Sequence, residues 1–261
     1  MTTFEAILLG LVQGLTEFLP VSSSGHLVIA QSLIPGFSQP GVLFDALLHV
    51  GTLVAVIVYF WRDLRSMVLS LFGLSDDRMT AAGAQHLLFL LIVGSLPTAA
   101  IGFAFKDLFE SLFSQVTPVG FALIVTGMIL FFAERVGRRE RDLPLMTWLD
   151  AFIIGIVQGI AIIPGISRSG STIGAGLALG LDPATALQYS FLMSVPAVFG
   201  AVLLETRHLT AAAVNALPWG AYLAGTVAAG IVGYLSISFL LKMLMRRRSN
   251  NRRQNRSSVA E

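Results

Sequence analysis

The stretch Ile7-Leu8-Leu9-Gly10-Leu11-Val12-Gln13-Gly14-Leu15 returns 145 positions later as Phe152-Ile153-Ile154-Gly155-Ile156-Val157-Gln158-Gly159-Ile160, and Ser22, Ser24 and Gly25 match Ser167, Ser169 and Gly170 at the same offset. Apolar matches alone would be unremarkable between two greasy segments. The shared Gln-Gly and Ser-x-Ser-Gly placements are polar, so a duplicated unit explains them better. The apolar runs Ile7–Leu19 and Phe152–Ile163 are too short for a bilayer, which takes roughly 20 residues. Each run then meets a turn, Pro20-Val21-Ser22-Ser23-Ser24-Gly25 or Pro164-Gly165-Ile166-Ser167-Arg168-Ser169-Gly170, and apolar residues resume at Leu27 or Ile173. Both read as broken, re-entrant helices. Non-helical backbone at membrane depth survives only where protein or a water-filled cavity satisfies it, so the two breaks are expected to meet around one site.

Composition supports lipid as the solvent. Of 261 residues, 55% are hydrophobic and 12% charged, with a mean hydropathy of +0.78. Soluble chains carry about 25% charged residues, and this deficit excludes an ordinary soluble domain. The basic balance behind the pI of 9.3 belongs to the tail, where Lys242, Arg246, Arg247, Arg248, Arg252, Arg253 and Arg256 cluster. With no cysteine, disulfides, thiolate catalysis and zinc–thiolate sites are excluded. The first thirty residues do not read as a cleaved signal, because the leading segment lacks Lys and Arg and Glu17 interrupts the apolar run.

Five further stretches read as full spans: Gly41–Phe60, Leu87–Phe105, Val116–Ala133, Ala184–Leu204 and Pro218–Leu241. Arginine-rich segments at Arg62, Arg65 and Arg78, at Arg135 to Arg141, and in the tail are expected to be cytoplasmic. The segments near Lys106 and Arg207 are then external, and the two hairpins enter from opposite sides. The expected fold is an all-α polytopic membrane protein of two inverted-topology repeats, each a broken helix hairpin plus spanning helices, with about five spans and two hairpins. One membrane domain covers 1–241, with repeat one at about 1–133 and repeat two at about 148–241; residues 242–261 form a disordered basic cytoplasmic tail against an anionic leaflet. No nucleic-acid fold accompanies that tail, so nucleic-acid binding is discounted.

Where the two copies differ, the differences are chemical. The first offers Gln13, Glu17, Ser23 and His26, while the second places Arg168 opposite Ser23. An ionisable group costs about 2.5 to 3.5 kcal/mol at a spanning-helix centre even on a lenient scale, so Glu17 and Arg168 each need a cavity or a partner. They could simply pair with each other. Both serine-rich loops precede a resumed helix, however, so Ser22, Ser24, Gly25, Ser167, Ser169, Gly170 and Thr172 can offer hydroxyls, N–H groups and positive helix ends to an anion. Arg168 adds a charged fork suited to phosphate oxygens, and His26 adds a group that exchanges protons near neutral pH. Asp45 and His49, four apart on the first full span, could support the site from behind or form a helix-internal pair, and the pair is the favoured reading; Gln158 and Gln188 read as interhelical hydrogen-bond formers.

Gln13-Gly14-Leu15-Thr16-Glu17-Phe18-Leu19-Pro20-Val21-Ser22-Ser23-Ser24-Gly25-His26 together with Pro164-Gly165-Ile166-Ser167-Arg168-Ser169-Gly170-Ser171-Thr172 resembles the paired signatures of the bacterial undecaprenyl-diphosphate phosphatases of the bacitracin-resistance type. The likeness runs from residue 1 to about Leu241. It implies hydrolysis of undecaprenyl diphosphate to the monophosphate carrier lipid and phosphate, for envelope polymers, in the bacterial inner membrane. It also places the catalytic roles on Glu17, Ser23, His26 and Arg168. Mg2+ or Ca2+ is an expected cofactor, with Glu17 as a ligand and Gln13 nearby. The site is expected to face outside, and a homodimer is an expectation to test.

Two departures stand out. Gln13 holds a position that is Glu in some members, which removes a carboxylate from any metal site. The family usually ends with another hydrophobic span, and here the basic tail follows Leu241 instead. A lipid flippase or transporter on the same inverted-repeat scaffold is the alternative function, and an intramembrane serine protease is a weaker one, disfavoured by Arg168. The residues do not choose among Ser23, His26 and water as nucleophile.

Overall fold

The computed structural model describes residues 1–35, 37, 42–113, 115–133, 135, 140–206 and 217–257. Among them are eleven α-helices and no strand. In chain order these are α1 (Thr3–Thr16), α2 (Ser23–Leu33), α3 (Val42–Tyr59), α4 (Trp61–Ser70), α5 (Ala81–Ala104), α6 (Lys106–Phe113), α7 (Val116–Ala133), α8 (Trp148–Ile160), α9 (Arg168–Ala178), α10 (Pro183–Thr206) and α11 (Trp219–Ser257). The chain is an all-α polytopic membrane protein.

The sequence offset of 145 is also a structural offset. Helix α1 maps onto α8 and α2 onto α9 at that spacing, and both hairpins begin with the same device. Thr2 and Glu5 form a capping box at the start of α1, and Thr147 and Asp150 repeat it at α8. Each box satisfies two N–H groups that the helix itself cannot.

Helix α1 packs on α11 and α8 packs on α5, each through a pair of glycines four residues apart. A Cβ on Gly10 would overlap the carbonyl oxygen of Gly225, and one on Gly155 would overlap that of Gly94. Small residues let backbones meet at van der Waals distance, which is how helices associate where lipid removes the hydrophobic drive. Helices α3 and α10, the first full helix of each copy, pack on one another between the hairpins, and α7 covers both α2 and α9. Tyr189 is fully buried at this centre, with its hydroxyl donating to Leu90 O at 2.8 Å.

Helices α5, α7, α10 and α11 are each long and apolar enough to cross a membrane. The remaining expected span, Gly41–Phe60, is α3, which bends by 72° into α4. Arg62 and Arg65, treated above as loop residues, therefore sit on a short amphipathic helix. Its inner face buries Asp63, Ser66, Met67 and Ser70. Asp63 accepts from Arg78 Nε at 3.2 Å and Gln188 Nε2 at 3.3 Å, tying α4 to α10. Helix α5 starts earlier than expected, because Thr80 caps it through the N–H of Gly83. Gly41, the first residue of the first expected span, lies outside the described residues, as do 258–261 of the tail.

The tail differs from its expected disorder. Helix α11 continues through residues 242–257 to Ser257 without a break. Leu, Met, Lys, Arg and Gln are good helix formers, and no Gly or Pro follows Gly233 to stop the helix. Cationic residues at a helix C-terminus also complement its dipole.

Candidate active site

Glu17 is the C-cap of α1, still helical in backbone, with its N–H bonded to Gln13 O. Five residues later Ser22 turns the chain with φ 68°, the sole non-glycine residue at positive φ among the described residues. That region is rarely occupied by residues with a Cβ and is typical of functional loops. Ser22 Oγ then accepts the N–H of Gly25 at 3.3 Å and starts α2. Ser167 does the same for α9, accepting the N–H of Gly170 at 3.0 Å from an ordinary extended backbone.

The two loops interlock at the predicted meeting point. Gly165 N donates to Ser24 Oγ at 3.4 Å, and Ser169 Oγ donates to Leu19 O at 3.3 Å. Thr126 of α7 fixes the second loop by donating to Gly165 O and accepting from Ser167 N, both at 2.9 Å. The positive ends of α2 and α9 thus face a common region between the hairpins.

There the charged groups meet. Arg168 Nη2 donates to Glu17 Oε1 in a short ion pair. Glu17 Oε2 accepts from Ser23 Oγ at 2.5 Å and from Gln13 Nε2 at 2.9 Å. Both partners are largely buried, with side chains 5% and 17% exposed, so each offsets part of the desolvation cost of the other. The second guanidinium nitrogen, Arg168 Nη1, is buried and has no protein hydrogen-bond partner. A buried cationic N–H without an acceptor is costly, and an anionic oxygen would satisfy it.

His26 joins the cluster through Ser22. Its Nδ1 lies 2.8 Å from Ser22 O, and because a carbonyl can only accept, Nδ1 carries the proton. The free nitrogen is therefore Nε2, which in the neutral ring bears a lone pair. Thr172, grouped above with the phosphate ligands, has its hydroxyl within hydrogen-bond distance of Arg168 O at 2.8 Å and Ser190 Oγ at 2.6 Å. In this arrangement it braces the turn that carries Arg168.

The residues do not fit a divalent cation held by protein alone. Among the described residues no three His, Asp or Glu side chains converge, and Glu17 already serves an arginine, a serine and a glutamine.

One contributor, Thr126, escaped the sequence reading, in which His49 is weighed with Asp45. Thr126 lies in a featureless apolar span, where a lone threonine carries no signal. His49 Nδ1 does bond within its helix, to Asp45 O at 2.8 Å, but the Asp45 carboxylate accepts from Gln31 Nε2 at 2.8 Å. The helix-internal link thus runs through the Asp45 backbone carbonyl, and His49 Nε2 lies 3.6 Å from Glu17 Oε2. Gln158 meets its expectation, donating across the α8–α5 contact to Thr98 Oγ1 at 3.2 Å.

A family model for the bacitracin resistance protein BacA matches residues 6–250. The chain belongs to the BacA family. A BacA relative in Syntrophotalea carbinolica is 49% identical over 248 residues, covering 95% of this chain and 92% of the relative. One in Halothermothrix orenii is 43% identical, covering 94% and 90%, and one in Paenarthrobacter aurescens is 44% identical, covering 95% and 90%. All three are named undecaprenyl-diphosphatase. The BacA match spans both hairpins, so the interlocked loops and the Glu17–Arg168 pair fall within the shared region.

Proposed function

We infer that this chain is a membrane-integral undecaprenyl-diphosphate phosphatase that releases inorganic phosphate from the lipid diphosphate and returns the monophosphate carrier to cell-wall synthesis. Through that recycling it supports bacitracin resistance. The observation that carries the reading is Arg168, the first residue of α9, whose one nitrogen is spent on Glu17 while the other is buried without a protein partner.

In the proposed reaction, Arg168 Nη1 and the first-turn N–H groups of α2 and α9 hold the oxygens of the terminal phosphate and stabilise its developing charge. Ser23 Oγ attacks the terminal phosphorus, and its proton passes to Glu17 Oε2, to which it already points at 2.5 Å. As the Oγ–P bond forms, the bond from phosphorus to the bridging oxygen breaks and the lipid monophosphate departs. His26 Nε2 then takes a proton from water as the water oxygen attacks phosphoserine and the Oγ–P bond breaks; Ser23 recovers its proton from Glu17, and His26 returns its proton to the departing phosphate. A role for Mg2+ or Ca2+ would rest chiefly on diphosphate oxygens, with Glu17 as the one carboxylate to hand, and no step here depends on it.

The arginine distribution supports a site open to the outer face, with α11 ending in the cytoplasm. Phosphate release from a polyprenyl diphosphate by the purified protein in detergent tests the reading, since a transporter needs two compartments and would release none.

A further inference from the structure

We propose that Ser190 is a positioning residue of the active site, setting Arg168 against the substrate phosphate through a hydroxyl relay that passes over Thr172. This rests on the phosphatase reading above.

Ser190 of α10 and Thr172 of α9 are both fully buried, with their hydroxyl oxygens 2.6 Å apart. Proton counting gives the relay its direction. Thr172 has one hydroxyl proton, and its oxygen also lies 2.8 Å from Arg168 O and 3.3 Å from Ser169 O, two carbonyls that can only accept. That proton therefore goes to the carbonyls, and Ser190 donates to Thr172. Hydrogen bonds in such a chain polarise one another in a low-dielectric interior, so each strengthens the next. On the other side of Arg168, Ser167 N donates to Thr126 Oγ1 at 2.9 Å. The backbone that carries the guanidinium is thus bracketed, by α7 directly and by α10 through Thr172.

Helix α10 also supports the other partner of the ion pair. Phe191, next to Ser190, meets Phe18 edge-on with ring centroids 5.2 Å apart, and Phe18 directly follows Glu17. Two adjacent residues of one helix therefore touch the loop that holds the carboxylate and the turn that holds the guanidinium.

The repeat supplies a second, independent observation. At the offset of 145, Ser190 corresponds to Asp45, which accepts from Gln31 Nε2 of α2 at 2.8 Å. In each copy the same position on the helix after the hairpin ties back to the hairpin's second helix. The points of attachment differ. Gln31 lies near the far end of α2, whereas Thr172 lies at the start of α9, beneath the Arg168 carbonyl. Only the second copy directs its tether at the residue that meets the phosphate.

A polar bond between helices in lipid can also serve simply to join them, and the test separates the two roles. Ser190→Ala, Thr172→Val, their double variant and Thr172→Ser are purified in detergent. Phosphate release from a polyprenyl diphosphate is measured as kcat and KM, with the inhibition constant of inorganic phosphate and a thermal melt beside it. Ser190→Ala should raise KM and the inhibition constant together by about three- to tenfold, the size of one neutral hydrogen bond, with kcat within about twofold of the parent. The double variant should match Thr172→Val alone in both constants, because the relay is already cut. Thr172→Ser, which keeps the hydroxyl, should stay within about twofold of the parent. Parent-like constants in Ser190→Ala would overturn the proposal, whether or not its unfolding temperature falls. So would effects that simply add in the double variant, or Thr172→Ser as impaired as Thr172→Val. A parent that releases no phosphate would instead refute the phosphatase reading itself, and this proposal with it.

Discussion

Replacing Arg168 with lysine keeps the positive charge and removes the fork. In the native arrangement one guanidinium nitrogen holds Glu17 while the other is buried and unpartnered, ready for a phosphate oxygen. Lysine offers a single ammonium on a thinner stem and cannot occupy both positions at once. It should keep the buried carboxylate compensated and give up the substrate contact. A hydrogen bond to a charged group contributes about 1.5 to 3 kcal/mol. Since about 1.4 kcal/mol is a factor of ten, the expected loss in kcat/KM is roughly 10- to 150-fold. The unfolding temperature should stay near the parent's, whereas Arg168→Ala strands Glu17 without its cation and should destabilise by about 3 to 5 kcal/mol as well. The assay is colorimetric phosphate release in detergent with undecaprenyl or farnesyl diphosphate, read beside a thermal melt. An Arg168→Lys protein within twofold of the parent in kcat/KM would refute the division of labour between the two nitrogens.

Gly155→Val should destabilise the protein by about 1 to 3 kcal/mol or more, because its side chain would drive α8 off Gly94 of α5; a thermal melt that matches the parent would contradict the close approach. Thr126→Val removes one donor and one acceptor from the second loop while preserving shape. A cost of about 1 to 3 kcal/mol is expected in stability, with a raised KM from a loosened Arg168 turn, both measurable in the same preparations. If a divalent ion assists, chelation should abolish turnover. The concentration of Mg2+ or Ca2+ that restores half the activity should be on the order of 10⁻⁴ M or weaker, since the protein offers one carboxylate; restoration by trace metal at micromolar levels would point to a protein cage.

Much of this was legible in the chain because the repeat preserves polar residues that a merely greasy helix does not need. Gln13 and Gln158 with their glycines, and the two serine pairs, reported the duplication, while the close helix contacts of those glycines emerged only from the packing. Glu17 and Arg168 were legible through cost alone, since lipid makes every buried charge conspicuous. What the chain concealed is lateral. Thr126 acts across helices from a position with no local signature, and only packing reveals which face it presents. The bend between α3 and α4 was hidden because an interfacial amphipathic helix and a charged loop share the same composition. The helical course of 242–257 was hidden by the opposite bias, since a run of arginines reads as solvated chain although arginine is a good helix former.

The central claim is that Arg168 and the first hairpin together release phosphate from a lipid diphosphate. The most direct measurement is phosphate release by the purified parent, Arg168→Ala and His26→Ala, each given undecaprenyl diphosphate in detergent. The account predicts sustained turnover by the parent and a loss of at least about a hundredfold in each variant. Parent-like rates in both variants, or no substrate-dependent phosphate from the parent, would contradict it.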